Sequence, residues 1–355
     1  MKIHSNIRDY EVHFCETDEF LGGLKRFKEC FYAVDANVYR CHAGGCLREI
    51  ASEAPVVFPI SEDRKSLDAV LELYDLMTTR AAKRNLTLIS IGGGILQDIT
   101  GFAASTLYRG INWIYVPTTL LAQADSCIGS KTSLNYKRFK NLIGTFYPPS
   151  EVFIYTPFLT TLDEIDFFSG VGEVVKLHIM GGEGTTGLLI EQFEAIACRE
   201  PAALHSAVEQ SLRIKQGYIT EDEFDSGRRN MLNFGHCFGH AIESASDFQV
   251  PHGQAVVVGM MAANIVARRR GLLSEQLCGF FARKLLLPSL RTRIQCEFLA
   301  PDIVVEAMKK DKKRVGENLA LIMIDQRYQM LRVNDLTPAD AAIALEELVE
   351  MLPDT

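Results

Sequence analysis

Short apolar runs bounded by turn residues dominate the first half of the chain. FYAVD (31–35), PVVFPI (55–60), LTLISI (86–91), INWIYV (111–116) and VFIY (152–155) have the length and β-branched content of buried strands. Between the second and third, Ser66 to Asn85 places apolar residues at Leu67, Val70, Leu71, Tyr74 and Met77, which predicts a helix with one apolar face. Strand and helix alternating in this way predict a parallel sheet covered by helices. Beyond about residue 160 the period becomes helical, over 187–199, 202–218, 228–246, 252–270 and 338–351, with LALIMID (319–325) as a late strand. The pattern predicts an α/β nucleotide-binding half and a helical half, with an active site in the cleft between them.

Composition narrows the function classes. At 355 residues the chain is long enough for about two domains. It has no apolar run of about 18 residues, so no helical membrane span is expected. The net charge of -8 argues against a nucleic-acid partner, which needs a basic face, but a local cationic pocket for a small anion is invisible in that sum. The start, MKIHSNIRDYEVHF, lacks a basic region followed by an apolar stretch, so no secretory leader is expected. Nine cysteines without a CxxC fit reduced thiols in a cytoplasm.

Candidate chemistry begins at the third strand. It runs into Gly92-Gly93-Gly94 and then a helical stretch, an arrangement in which backbone N–H groups can approach a pyrophosphate. This is not GxGxxG, and a tight turn that binds nothing is the alternative. Pro117-Thr118-Thr119 after the next strand adds hydroxyls at the same sheet edge and tilts the balance toward a dinucleotide. Further on, His236 and His240 stand four apart on one helix face, as metal ligands or as capping or core histidines. His252, opening another helix, and Glu173 favour a catalytic zinc site with an open position. Lys131, Lys140, Lys176, Lys215, Arg229, Lys312 and Lys313 sit in apolar or glycine-rich surroundings. Each alone reads as a solvated surface cation; as a set beside these motifs they suit a polyanionic sugar phosphate.

Taken together, the stretches SEDRKSL (61–67), GGGILQDITGFAA (92–104), YRGINWIYVPTTLLAQADSCIGSKTSLN (108–135) and KNLIGTFYPP (140–149) resemble the 3-dehydroquinate synthase family of sugar phosphate cyclases. The resemblance continues through SGVGEVVK (169–176), Lys215, GRRNMLNFGHCFGHAIE (227–243), PHGQAVVVGM (251–260) and DKK (311–313). It implies an N-terminal Rossmann-like NAD-binding domain (1–160), a C-terminal mainly α-helical domain for metal and substrate (161–355), and a homodimer. By position it implies zinc, or cobalt, on Glu173, His236 and His252, with His240 moved from metal ligand to phosphate contact. Asp125, Lys131, Lys176, Lys215, Arg229, Asn233 and Lys312 would line the substrate pocket, with Arg229 facing a carboxylate. NAD would lie against Asp35, Glu62, Lys65, Gly93, Gly94, Asp98, Thr118, Thr119, Lys140, Asn141 and Thr161. The implied reaction converts 3-deoxy-D-arabino-heptulosonate 7-phosphate to 3-dehydroquinate by oxidation with NAD, phosphate elimination, re-reduction and intramolecular aldol closure. No net redox results.

Three positions depart from the usual family pattern. Ser130 stands where a second glycine is usual before Lys131, His178 where a small residue is usual, and Asp166 where a glutamate is usual. These departures keep open a related cyclase that makes aminodehydroquinate, 2-deoxy-scyllo-inosose or a valiolone-type product. A metal-dependent alcohol dehydrogenase shares the glycine turn and the histidines but has no need of the cation set. A non-catalytic relative would not need every catalytic position filled, as here.

Overall fold

The computed structural model describes residues 1–27, 29–80, 83–137, 139–309 and 318–352. They form two compact units: Met1–Leu162 with Ile219–Phe224, and Asp163–Tyr218 with Asp225–Thr355.

The first unit is built on a seven-stranded sheet. Its strands are β1 (Lys2–Ile3), β2 (Tyr10–Phe14), β3 (Cys30–Asp35), β4 (Val56–Phe58), β5 (Thr87–Gly92), β6 (Asn112–Pro117) and, after the β7–β8 ribbon, β9 (Glu151–Ile154). The order is β1-β2-β9-β6-β5-β3-β4, parallel everywhere except β1 with β2. Every residue of β5 is buried, as a central parallel strand covered on both faces requires. On one face Tyr32, Val34, Ile89, Ile91, Ile114 and Val116 pack with Leu21, Leu24 and Phe158. Helix α1 (Leu67–Thr79) buries Ala69, Val70, Leu73 and Met77, whereas Leu67 and Leu71 are exposed. The buried stripe thus lies one step round from the expected one. The helix also ends six residues before Asn85, where the Thr78 and Thr79 hydroxyls donate back to the carbonyls of Tyr74 and Asp75. Helix α2 (Gly94–Thr106) follows β5 directly. The ribbon, β7 (Lys131–Tyr136) and β8 (Phe139–Phe146), pairs antiparallel.

Helices dominate the second unit: α3 (Glu164–Met180), α4 (Glu183–Ala197), α5 (Pro201–Glu221, which ends in the first unit), α6 (His236–Ala245), α7 (His252–Arg269) and α8 (Pro338–Met351). The hairpin β10 (Leu319–Ile324) and β11 (Met330–Leu336) completes it. The single helix expected over 228–246 is two elements. A 3-10 turn, Arg228–Asn233, runs into Gly235 at φ +80, and α6 starts only at His236. Helix α3 escaped the periodicity because fourteen of its seventeen residues are buried, so no polar face marks it.

Three of these helices meet through backbone. A Cβ on Gly253 of α7 would lie 1.8 Å from the Ser169 carbonyl oxygen of α3, and one on Gly259 would lie 2.0 Å from the Gly235 carbonyl oxygen before α6. No side chain fits either position. The Ser169 hydroxyl accepts a 2.9 Å hydrogen bond from Gly253 N, and the Gln254 side chain donates to Phe168 O at the same junction. The start of α7 is thereby fixed against α3, and the start of α6 against the middle of α7, which sets the positions of the candidate metal donors.

Candidate active site

In the second unit, Glu173 projects from α3 while His236 and His252 are the first residues of α6 and α7. Glu173 Oε1 lies 3.3 Å from His252 Nε2 and 3.6 Å from His236 Nε2. The ligating atoms of His236, His240 and His252 all fall within 4.8 Å of one another. His236 Nδ1 donates to the Phe234 carbonyl at 3.2 Å and His252 Nδ1 to Glu243 Oε2 at 3.0 Å, which leaves both Nε2 atoms turned toward Glu173. Two anchored imidazoles, a carboxylate and a third imidazole alongside form a donor set that suits zinc with an open position.

The two imidazoles differ in their electrostatics. Burial, and then the neighbouring Lys176, His252 and His240, hold the His236 imidazole well below its ordinary pKa, in the neutral form that ligates. Burial also opposes charge on His252, but its hydrogen bonds to Glu173 and Glu243 outweigh it and raise the pKa to about 10. Lys176, one turn beyond Glu173, pairs with Glu173 Oε2. Lys176, Lys215 and Arg229 are 2%, 7% and 4% exposed. Three cations so deeply buried in one unit are uncommon and favour anions. Arg229 and Asn233 share the 3-10 turn before α6, and His240 is the most exposed of the three histidines. Lys312, with Lys313, lies outside the described residues. At its unexpected position in α3, His178 is buried, donates Nδ1–H to Val174 O at 2.8 Å and is driven by burial to a pKa of about 4.

Glu243 is a functional candidate that the sequence reading passed over. His236, His240 and Glu243 follow at i, i+4 and i+7, a single helix face, and this spacing was the available signal. Replacing Glu243 by alanine is expected to weaken zinc binding by roughly ten- to a hundredfold, because the carboxylate sets the tautomer and angle of His252. Competition against a chromophoric chelator measures this, and unchanged affinity would remove the role.

In the first unit the glycine turn sits at the carboxyl ends of β5 and β6. Gly93 is the extended residue before α2, and a Cβ there would meet Thr119 Cγ2 at 2.9 Å. Thr118 N donates to Gly92 O at 3.1 Å, so the glycine and threonine loops lie side by side. Asp35, ending the neighbouring strand β3, caps the next helix by accepting from Asn37 N and Val38 N at 2.7 and 3.3 Å. Burial raises its carboxyl, and those two bonds offset part of the rise.

A second polar group joins Lys65, Asp98 and Asn141. Lys65 Nζ is 2.6 Å from both Asp98 Oδ2 and Asn141 Oδ1. Burial raises Asp98, and Lys65 and Ser133 pull it back. Lys140 Nζ is 3.8 Å from Glu62 Oε1. Thr161 Oγ1 bonds to His42 Nε2 at 2.9 Å, a partner the sequence did not suggest. Lys131 opens β7, and Asp125 lies in the π-helical turn Ala122–Ser126.

Against protein-family models, residues 55–169 match 3-dehydroquinate synthase N-terminal and residues 170–314 match 3-dehydroquinate synthase C-terminal. The 3-dehydroquinate synthase of Dehalococcoides mccartyi is 34% identical over 290 residues, 82% of this chain and 80% of that one. That of Acidithiobacillus ferrooxidans is 36% identical over 300 residues, 83% and 81% of the two chains. The chain belongs to the 3-dehydroquinate synthase family.

Solved structures of other cyclases share its fold. A 2-epi-5-epi-valiolone synthase from Streptomyces hygroscopicus, solved with NAD+ and Zn2+, superposes with a TM-score of 0.85 at 24% identity, covering 96% and 97% of the two chains. A 2-deoxy-scyllo-inosose synthase complexed with carbaglucose-6-phosphate, NAD+ and Co2+ gives 0.82 at 23% identity, over 98% and 99%. Glycerol dehydrogenase from Schizosaccharomyces pombe gives 0.64 at 15% identity, over 96% and 89%, so the architecture extends beyond cyclases. No helix among the described residues is long and apolar enough to cross a membrane.

Proposed function

We propose that this chain is a 3-dehydroquinate synthase, a lyase that converts 3-deoxy-D-arabino-heptulosonate 7-phosphate to 3-dehydroquinate and phosphate. The observation that carries the reading is the burial of Lys176, Lys215 and Arg229 in the unit that holds the Glu173, His236 and His252 donor set. A simple alcohol dehydrogenase has no use for three buried cations, whereas a substrate bearing a phosphate and a carboxylate requires them. Glu173, His236 and His252 would hold the zinc, and Gly93, Gly94, Asp98, Thr118, Thr119, Lys140 and Asn141 would face NAD. When bound, these cofactors supply a Lewis acid for a substrate hydroxyl and a hydride acceptor that is regenerated each turnover.

The chain's own groups do the remaining work. Arg229 offers a planar pair of donors to the carboxylate, held at one end of the turn that leads to His236. Lys176, Lys215 and the more exposed His240 hold the phosphate and favour the charge that grows on it as it leaves. The proton removed next to the new carbonyl passes to that phosphate's own oxygen. The product carries no net oxidation relative to the substrate. The enzyme would work as a homodimer in the cytoplasm, in aromatic amino acid biosynthesis.

A related cyclase is the second reading, favoured by Ser130. This residue is 7% exposed, has φ +65 and directly precedes Lys131, so a side chain occupies a backbone position that suits glycine. Phosphate release with NAD and zinc separates the readings when 3-deoxy-D-arabino-heptulosonate 7-phosphate, sedoheptulose 7-phosphate and glucose 6-phosphate are offered in parallel. Release from the first alone, without NADH build-up, is expected. Release from either other sugar moves the chain to another cyclase reaction, and NADH accumulation with a simple alcohol moves it to the dehydrogenases.

A further inference from the structure

We propose that Asn135 is a positioning residue for the nucleotide-binding set. It would act by filling a bulge in the β7–β8 ribbon, and this deepens the reading that Glu62, Lys65 and Asn141 meet NAD. Along β7, Thr132 and Leu134 are buried, so Lys131, Ser133 and Asn135 share the opposite face. The ribbon pairs regularly from Lys131 with Phe146 to Leu134 with Ile143, and then jumps to Tyr136 with Phe139. Three residues of β8, Lys140, Asn141 and Leu142, therefore stand opposite the single residue Asn135. A bulge of this kind takes main-chain groups out of the ladder and re-aims side chains.

Asn135 supplies the missing partners. Its Oδ1 accepts from Asn141 N at 2.9 Å, and its Nδ2 donates to Glu62 Oε1 at 2.8 Å and to Glu62 O at 3.3 Å. Its own N donates to Lys65 O at 2.7 Å. The side chain thus uses its acceptor on Asn141 and both donors on Glu62, and with the main-chain bond to Lys65 the residue clasps three positions assigned to the nucleotide. Asn141 sits at φ +51, a left-handed conformation that has to be held in place. Its Oδ1 receives Lys65 Nζ at 2.6 Å and the Ser133 hydroxyl at 2.9 Å, which ties the amide down by its oxygen and assigns its NH2 the role of donor to a ligand. Asn135 holds the backbone and Ser133 the amide, while neither was singled out by the sequence reading.

The test is a double-mutant cycle read by titration of NAD against the zinc-loaded protein. Asn135→Ala is expected to bind NAD about tenfold more weakly than wild type, with its thermal midpoint recorded alongside. Combined with Asn141→Ala, the same change is expected to cost less than about threefold, because it acts through a residue already removed. If Asn135→Ala proves too unstable to purify, Asn135→Leu keeps the volume, removes the acceptor for Asn141 N together with the donors to Glu62, and is expected to give the same coupled loss. Full NAD affinity in these variants, or losses that multiply independently of Asn141, would overturn the proposal. A wild-type chain that takes up no NAD would instead bring down the nucleotide reading, and this inference with it.

Discussion

Replacing His252 by alanine is expected to leave the purified protein without stoichiometric zinc and to lower the rate of phosphate release by about a thousandfold or more. The imidazole is one of the two whose Nε2 atoms flank Glu173 Oε1, and its far nitrogen is tied down by Glu243. Without it the metal keeps a single carboxylate and a single nitrogen from this set, too few for tight binding at a site with an open position. Elemental analysis and the phosphate assay check the two halves separately. NAD titration is expected to be unchanged, because the glycine and threonine loops lie in the other unit. Full zinc occupancy in His252→Ala would dismiss the ligand assignment, whatever the activity.

The second large effect falls on Arg229. Arg229→Ala is expected to reduce kcat/KM for the carboxylate-bearing sugar phosphate by about a hundredfold or more, since a buried charge-assisted contact is lost. Arg229→Lys keeps the charge and most of the volume yet lacks the planar fork, so a comparable loss would show that geometry matters beyond charge. NAD and zinc binding are expected to hold in both variants. Unchanged turnover in Arg229→Ala would remove the carboxylate from the substrate assignment.

How far the fold could be read in advance depended on burial. The strands β3, β5, β6 and β9 stood out because parallel strands covered on both faces are continuous apolar runs. β2, as Tyr-Glu-Val-His-Phe, and the ribbon β7–β8 mix polar and apolar residues and did not. α3 was missed for the opposite reason, being buried on nearly every side. The break in 228–246 depends on one left-handed glycine whose conformation composition does not announce. At the site, Glu173, His236, His240 and His252 stood out as donors from the residues themselves, but the choice of His252 over His240 as a ligand came from family resemblance, because spacing had paired His236 with His240. Asn135 and Glu243 were harder still to see, because their part is to hold other residues in place. A supporting hydrogen bond leaves little trace in a single sequence.

The contacts at Gly253 and Gly259 have a consequence for how such a protein can change over time. Where helices meet through main-chain atoms, the distances between them do not depend on which side chains surround the junction. Drift among the neighbouring lysines and arginines would then leave the spacing of the candidate metal donors unchanged. Such a scaffold separates the part that must be conserved from the part free to diversify, and new substrate preferences can arise on it in small, individually tolerated steps.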